Sequence, residues 1–432
     1  MPKTKAIFVC RECGNEFSRW EGQCRACNAW NSLEELQISA KSSKSGRKSS
    51  TKLQSPQNLE DIDISKADRI STKILELDRV LSGGLVKGQV VLIGGTPGIG
   101  KSTLLMQLAG SFDQKVLYVS GEESESQVAL RAKRLGIKSK NIDIISTGDI
   151  DAILNGFKHD LLITDSIQTL YSSDINSSAG TLSQIRECAA GIINIAKTQN
   201  IPAIIVGHIT KDGSIAGPKM LEHMVDTVLY LEGDRSHLFR MLRVEKNRFG
   251  TDDEVGIFQM VANGLEGVAN PSLMLMGENE IKSSGTAIAI VLEGTRPLAV
   301  EVQALTTKTA FGYPKRASSG FSLNRLQLLC AVLQKRLKIN LLDQDVYVNI
   351  ASGIQIKEPA VDLAVAAAIV SSYKDKAIKS DTCFFGEVGL SGEIRKVLAT
   401  DRRLKEAKKL GYKNIISSDT AKELGKINQI LI

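Results

Sequence analysis

The fold is decided by Val90-Val-Leu-Ile93, which runs into Gly94-Gly-Thr-Pro-Gly-Ile-Gly-Lys-Ser-Thr103 and then into Leu104-Leu-Met-Gln-Leu-Ala109. A β-rich apolar run, a glycine-rich turn and an amphipathic segment follow one another, which is the strand–loop–helix setting of the G-x-x-x-x-G-K-[ST] phosphate cradle. Glycines let successive backbone N–H groups turn inward around an anion, and the helix that follows aims its positive end at the same point. The expected nucleotide-binding residues are therefore Gly95, Thr96, Pro97, Gly98, Ile99, Gly100, Lys101, Ser102 and Thr103. Lys101 supplies a point charge for the β and γ oxygens. Ser102 offers a hydroxyl to the Mg²⁺ that bridges them, so ATP and Mg²⁺ are the expected cofactors.

Outward from the loop, short apolar runs at 90–94, 116–120, 161–165, 203–207 and 227–231 alternate with helical segments up to about residue 270. Alternation of this kind predicts an α/β core, a parallel sheet with helices on both faces. The run Leu161-Leu-Ile-Thr-Asp165 ends in a carboxylate, where such a site holds the Mg²⁺ shell. Another run, Tyr118-Val-Ser-Gly-Glu-Glu123, brings two carboxylates to the same edge. One of them, taken as Glu122 with Glu123 the alternative, orients and deprotonates the attacking water.

Four of the seven cysteines fall in the first 27 residues, as Cys10-Arg-Glu-Cys13 and Cys24-Arg-Ala-Cys27. An odd count with this clustering argues against a secreted disulfide framework. Cys10, Cys13, Cys24 and Cys27 instead match a closed, structural Zn²⁺ site of two knuckles, in a segment too small to fold on its own core. Cys188, Cys330 and Cys383 lie in apolar surroundings and read as buried thiols. The expected domains are a zinc ribbon at 1–32, a basic flexible linker at 33–58, an ATPase core at 59–270 and a second α/β domain at 271–432. In the last, strands at 286–294, 298–303, 346–351 and 382–385, a hairpin near Gly389 and helices at 324–336, 360–371 and up to Gly411 are expected. The net charge of +7 leans toward polyanionic partners. No apolar run reaches the roughly 18 residues a membrane span needs, so a cytoplasmic location without membrane contact is expected.

With the ribbon, the P-loop, Lys246-Asn-Arg-Phe-Gly250 and a C-terminal domain in this order, the whole chain resembles the bacterial RadA (Sms) family of recombination and repair proteins. Its core is similar to those of RecA and the hexameric DnaB-type helicases. The resemblance implies a DNA-dependent ATPase and helicase, a homo-hexameric ring that translocates on single-stranded DNA. It also implies branch migration of branched recombination intermediates in the nucleoid beside a RecA-type recombinase. An ATP-regulated scaffold that loads the recombinase without moving is the alternative. Lys246 and Arg248 then reach a neighbouring subunit's γ-phosphate, as an arginine finger does. The loop after the strand ending near His208 takes the place of a DNA-binding loop, with Lys211 and Lys219 for phosphates and His208 as a γ-phosphate sensor. The C-terminal domain resembles the Lon protease domain, yet Ala360 stands where the nucleophilic serine belongs, and the lysine position falls on Asp401, with Lys405 nearby. Without a hydroxyl there is no acyl-enzyme chemistry. The domain is expected to be proteolytically inactive, serving ring assembly and DNA contact through Lys308, Lys315 and Arg316.

Overall fold

The computed structural model describes residues 4–10, 16–25, 28–39, 69–138, 140–208, 220–233, 239–276, 283–310, 312–351 and 355–429, and the chain divides into two compact units, Met1–Gly267 and Val268–Ile432.

In the first unit, β1 (Thr4–Cys10) pairs antiparallel with β2 (Glu16–Phe17) and with β3 (Leu33–Ser39), the latter in register from Thr4↔Ser39 to Cys10↔Leu33. Cys10 and Cys24 are buried together with Leu33 against Phe8 and Phe17. The linker expected from residue 33 therefore begins with a strand: Leu33 sits opposite Cys10 and closes the ribbon's small sheet before the chain moves on. Residues 40–68, which carry most of the Ser/Lys-rich stretch, lie outside the described residues.

The core then runs through α1 (Leu75–Val80), β4 (Val90–Gly95), α2 (Lys101–Ser111), β5 (Val116–Ser120), α3 (Glu125–Arg134), β6 (Ile142–Ser146), α4 (Ile150–Leu154), β7 (Leu161–Asp165), α5 (Leu182–Gln199), β8 (Ala203–His208), α6 (Met220–Met224) and β9 (Thr227–Glu232). Strands β9, β4, β8, β7, β5 and β6 lie side by side, all parallel. Alternate residues of these strands go to opposite faces, as a two-residue period requires. Val91, Ile93, Tyr118 and Ile163 pack with α1, α2 and α3, whereas Val90, Leu92, Val119 and Leu162 pack with α4 and α5. Burial on both faces explains why these strands read as unbroken apolar runs.

Three strands absent from the sequence reading extend the sheet antiparallel from β9: β10 (Phe239–Asn247), β11 (Val255–Val261) and β12 (Gly264–Gly267). Arg240, Arg243 and Lys246 interrupt β10, so it lacks the continuous apolar run that marks the parallel strands.

The second unit holds α7 (Pro271–Leu275), β13 (Thr286–Glu293), β14 (Arg296–Lys308), β15 (Arg316–Ser319), α8 (Leu323–Leu337), β16 (Gln344–Ile350), α9 (Asp362–Lys374), β17 (Thr382–Phe384), β18 (Glu387–Val388), β19 (Ile394–Arg395), α10 (Thr400–Lys409) and β20 (Asn414–Ile416). Its mixed sheet has the order β15-β16-β14-β13-β17-β20. Helix α9 is buried from Asp362 through Ser371, and its alanines let it lie close against β13 and β14.

Candidate ATPase site

The glycine-rich loop leaves the end of β4 and enters α2. Gly98 and Gly100 take positive φ angles of 78° and 122°, which a side chain would strain. Ile99 is buried and anchors the loop in the core, so of this residue only backbone is offered to a ligand. Lys101, almost wholly buried, donates from Nζ to the carbonyls of Gly95 at 2.7 Å and Thr96 at 3.1 Å. Burial pushes its ammonium below the ordinary lysine range, opposed by the charges of Asp165 and Glu122. Both carboxylates therefore lie within electrostatic reach of the P-loop lysine.

Strand pairing brings them there: β5 and β7 are neighbours with Ser120 opposite Asp165, and Glu122 follows two residues beyond Ser120. Gly121 is fixed between them, its N–H donating to the Asp165 carbonyl at 2.9 Å, and a Cβ there would sit 1.8 Å from Thr169 Oγ1. Asp165 Oδ2 accepts from Tyr118 at 2.8 Å, and the Asp165–Ser166 peptide is cis.

Glu122 and Glu123 turn to different partners. Glu122 Oε1 accepts from Ser166 Oγ at 2.8 Å and from His208 Nε2 at 3.0 Å, while Glu123 is paired with Arg131 on α3. Burial raises the Glu122 carboxyl, but the hydrogen bonds from Ser166 and His208 and the charges of His208 and Lys101 outweigh it and hold the group below its ordinary value. Glu122 is therefore an ionised carboxylate beside the P-loop, the form a general base needs. The hydroxyl of Ser102 and the carboxylate of Asp165 are hard oxygen donors, a set that fits Mg²⁺, which takes one or two protein oxygens and fills the rest with phosphates and water. Sequence reasoning missed Ser166 and Tyr118; the period-2 alternation that puts Tyr118 on the face of Ser120 was the available signal.

Lys246 and Arg248 lie toward the opposite ends of the strands. Lys246 pairs with Val228 and Asn247 with Thr227, at the start of β9, whereas Gly95 pairs with Leu231 near its end. At about 3.3 Å per residue the separation is roughly 10 Å along the strand, so neither cation serves this chain's own loop. Lys246 Nζ donates to the carbonyls of Glu222 and Val225, both at 2.7 Å, closing the end of α6. Arg248 is more than half exposed, 3.6 Å from Asp226, which Lys197 also holds at 2.7 Å.

Of the residues read as DNA contacts, Lys211 and Lys219 lie outside the described residues, as do Cys13 and Cys27. Lys308 and Lys315 are exposed at one end of the second unit's sheet. The Arg316 guanidinium donates to the carbonyls of Gln344 at 2.6 Å, Leu341 at 2.7 Å and Lys315 at 3.0 Å. In the ribbon, Cys10 and Cys24 share one buried cluster, as thiolate donors to a single ion would.

A cleft of about 570 Å³ in the second unit is lined by Ser318, Phe321, Arg325, Lys357, Glu358 and Asp362. Ala360 is buried beside it. The residue that α10 turns inward is neither Asp401 nor Lys405, both exposed, but the fully buried Arg403, four positions before the buried Ala407. Arg403 donates to Glu358 at 2.6 and 3.0 Å and to Ile290 O at 2.6 Å. On the other side of Ala360, Asp362 accepts from Arg325 Nε at 3.1 Å and from the Val388 N–H at 3.2 Å. No hydroxyl stands at the nucleophile's place.

A parallel sheet covered on both faces, with a P-loop at the end of β4 and carboxylates at the ends of β5 and β7, defines a RecA-like P-loop ATPase. Family models match residues 70–145 (KaiC ATPase), residues 8–35 (rubredoxin metal binding domain) and residues 325–421 (subunit ChlI of Mg-chelatase). The chain is 48% identical over 427 residues to the DNA repair protein RadA of Bacillus subtilis, covering 96% of this chain and 93% of that one. It is 47% identical over 419 residues to DNA repair protein RadA of Listeria monocytogenes, covering 96% and 92%. The crystal structure of the RadB recombinase aligns with 46% of this chain and 99% of its own, at 23% identity and a TM-score of 0.39. The chain belongs to the DNA repair protein RadA family, an ATP-hydrolysing enzyme with an N-terminal zinc ribbon and a ChlI/Lon-like C-terminal domain. Among the described residues, no helix is long and apolar enough to cross a membrane.

Proposed function

We propose that this chain is a DNA-dependent ATPase and helicase that works as a ring on single-stranded DNA and drives branch migration of recombination intermediates during repair. The observation that carries the reading is the placement of Lys246 and Arg248 at the strand ends away from the chain's own P-loop. Cations there complete a phosphate site only in a neighbouring copy, which suits a closed assembly such as a hexamer. Arg248, held at 3.6 Å from Asp226 and more than half exposed, is the group free to reach across. Lys246, bonded to two carbonyls at 2.7 Å, fixes the turn that presents it.

In this mechanism Lys101 and the loop N–H groups hold the phosphates, and Ser102 and Asp165 hold Mg²⁺. When bound, Mg²⁺ supplies positive charge to the β and γ oxygens. Glu122 orients the attacking water and takes its proton. His208 ties Glu122 to the strand that leads toward Lys211 and Lys219, so DNA on that segment and hydrolysis at the P-loop bear on one residue. Cys10, Cys13, Cys24 and Cys27 hold Zn²⁺ in a structural role, and Lys308 and Lys315 add phosphate contacts. The setting is the cytoplasm, at the nucleoid, beside a RecA-type recombinase.

Steady-state ATP hydrolysis by the purified full chain, with and without single-stranded DNA at several salt concentrations, tests the reading. Stimulation that fades as salt rises is expected, because phosphate contacts release counterions. Turnover indifferent to DNA, restored only by a recombinase, would replace the motor with a partner-dependent scaffold.

A further inference from the structure

Tyr118 is fully buried in the middle of a β-strand, packed on its face against aliphatic residues such as Val116 and Ile163. A phenylalanine would fill that space as well, and a buried hydroxyl costs free energy unless it is bonded. The register explains where the hydroxyl goes. Tyr118 stands opposite Ile163 and Ser120 opposite Asp165, so Tyr118 and Asp165 are diagonal neighbours on one face of the sheet. Such a pair is roughly 7–8 Å apart at Cα, a span an aromatic side chain bridges. The phenol donates to Asp165 Oδ2 at 2.8 Å.

We propose that Tyr118 is a positioning residue for the divalent cation: by engaging Oδ2 it fixes the Asp165 carboxylate so that Oδ1 meets the metal's water shell. Groups of this kind orient metal-binding carboxylates, and their loss commonly costs 10- to 100-fold in metal affinity. The inference deepens the site described above and rests on Asp165 as the carboxylate of the metal shell.

The test is Mn²⁺ binding to the full chain in the presence of ADP, read from the free-ion electron paramagnetic resonance signal, for Tyr118→Phe and Asp165→Asn beside the native protein. Tyr118→Phe should weaken Mn²⁺ binding about tenfold while leaving the melting temperature and metal-free ADP affinity unchanged. Its ATP turnover should recover as Mg²⁺ is raised, a response that a packing defect would not give. Tyr118→Leu, which removes the ring as well, should lower the melting temperature and so separates packing from the hydrogen bond. Native Mn²⁺ affinity in Tyr118→Phe with loss in Asp165→Asn would overturn the role of Tyr118 and leave the site standing. Native affinity in both would overturn the assignment of Asp165 itself.

Discussion

In the first unit Glu122 keeps 49% of its side chain exposed and rests one oxygen between Ser166 and His208. In the second unit Asp362 has no exposed side chain, and Arg325 and the Val388 N–H occupy both its oxygens. Glu122 follows the end of β5, and Asp362 opens α9 and lines the second unit's cleft. What separates them is how completely the protein has already answered their charge. A carboxylate that must take a proton from water has to keep capacity in reserve. One that holds a wall in place is best saturated, since a buried unpaired charge costs several kcal/mol.

The largest expected effect is at the P-loop. Lys101→Ala removes the point charge from the β and γ oxygens and should lower ATP turnover about 10²- to 10³-fold, the scale for losing one electrostatic stabiliser of a transition state. The fold should survive, because Lys101 bonds only to the carbonyls of Gly95 and Thr96. Turnover near the native rate would move the nucleotide site elsewhere.

Arg403→Met breaks the comparison from the other side. Arg403 is wholly buried and its partner Glu358 is 23% exposed, so the variant strands a carboxylate against apolar surroundings. Removing one member of a buried pair costs about 3–5 kcal/mol. Thermal unfolding should show that loss in the second unit, with ADP affinity at the first unchanged. Adding Glu358→Leu should recover most of it; if the double variant is no better than the single, the pair is not what stabilises the cleft.

A smaller effect is expected at His208. His208→Ala deletes one hydrogen bond and one nearby positive charge from Glu122, whose carboxyl then moves up toward its ordinary 4.5. A base works only when ionised, so the acid limb of turnover should shift to higher pH, with a change of only a few fold at neutral pH. A profile whose acid limb stays in place would separate His208 from the base.

The parallel core was legible because its strands are buried on both faces and the glycine loop fixes the chain direction at one of them. The antiparallel edge was not, since charged residues break the apolar run of β10. At the site, Lys101, Ser102, Asp165 and the pair Glu122-Glu123 could be named from motif spacing. The two glutamates part through Arg131, which meets Glu123 from eight residues on along α3, a spacing that no short motif announces. Arg403 escaped for a similar reason. Counting along the chain put the lysine position on Asp401, whereas the helical period turns Arg403 and Ala407 inward together.

Restoring the missing hydroxyl is the change from which the least is expected. Ala360→Ser places a nucleophile in the turn, but a serine needs a base to remove its proton. Arg403 is a donor only and accepts nothing. Glu358 already accepts two bonds from Arg403 and one from the Leu292 N–H. Lys405 points to solvent from the outer face of α10. Cleavage of a fluorogenic peptide or casein by Ala360→Ser, with ATP present, should therefore match the native background. Cleavage above it that Lys101→Ala abolishes would mean that a base does reach residue 360, and that the ion pairs on either side of it hold the cleft more loosely than their burial implies.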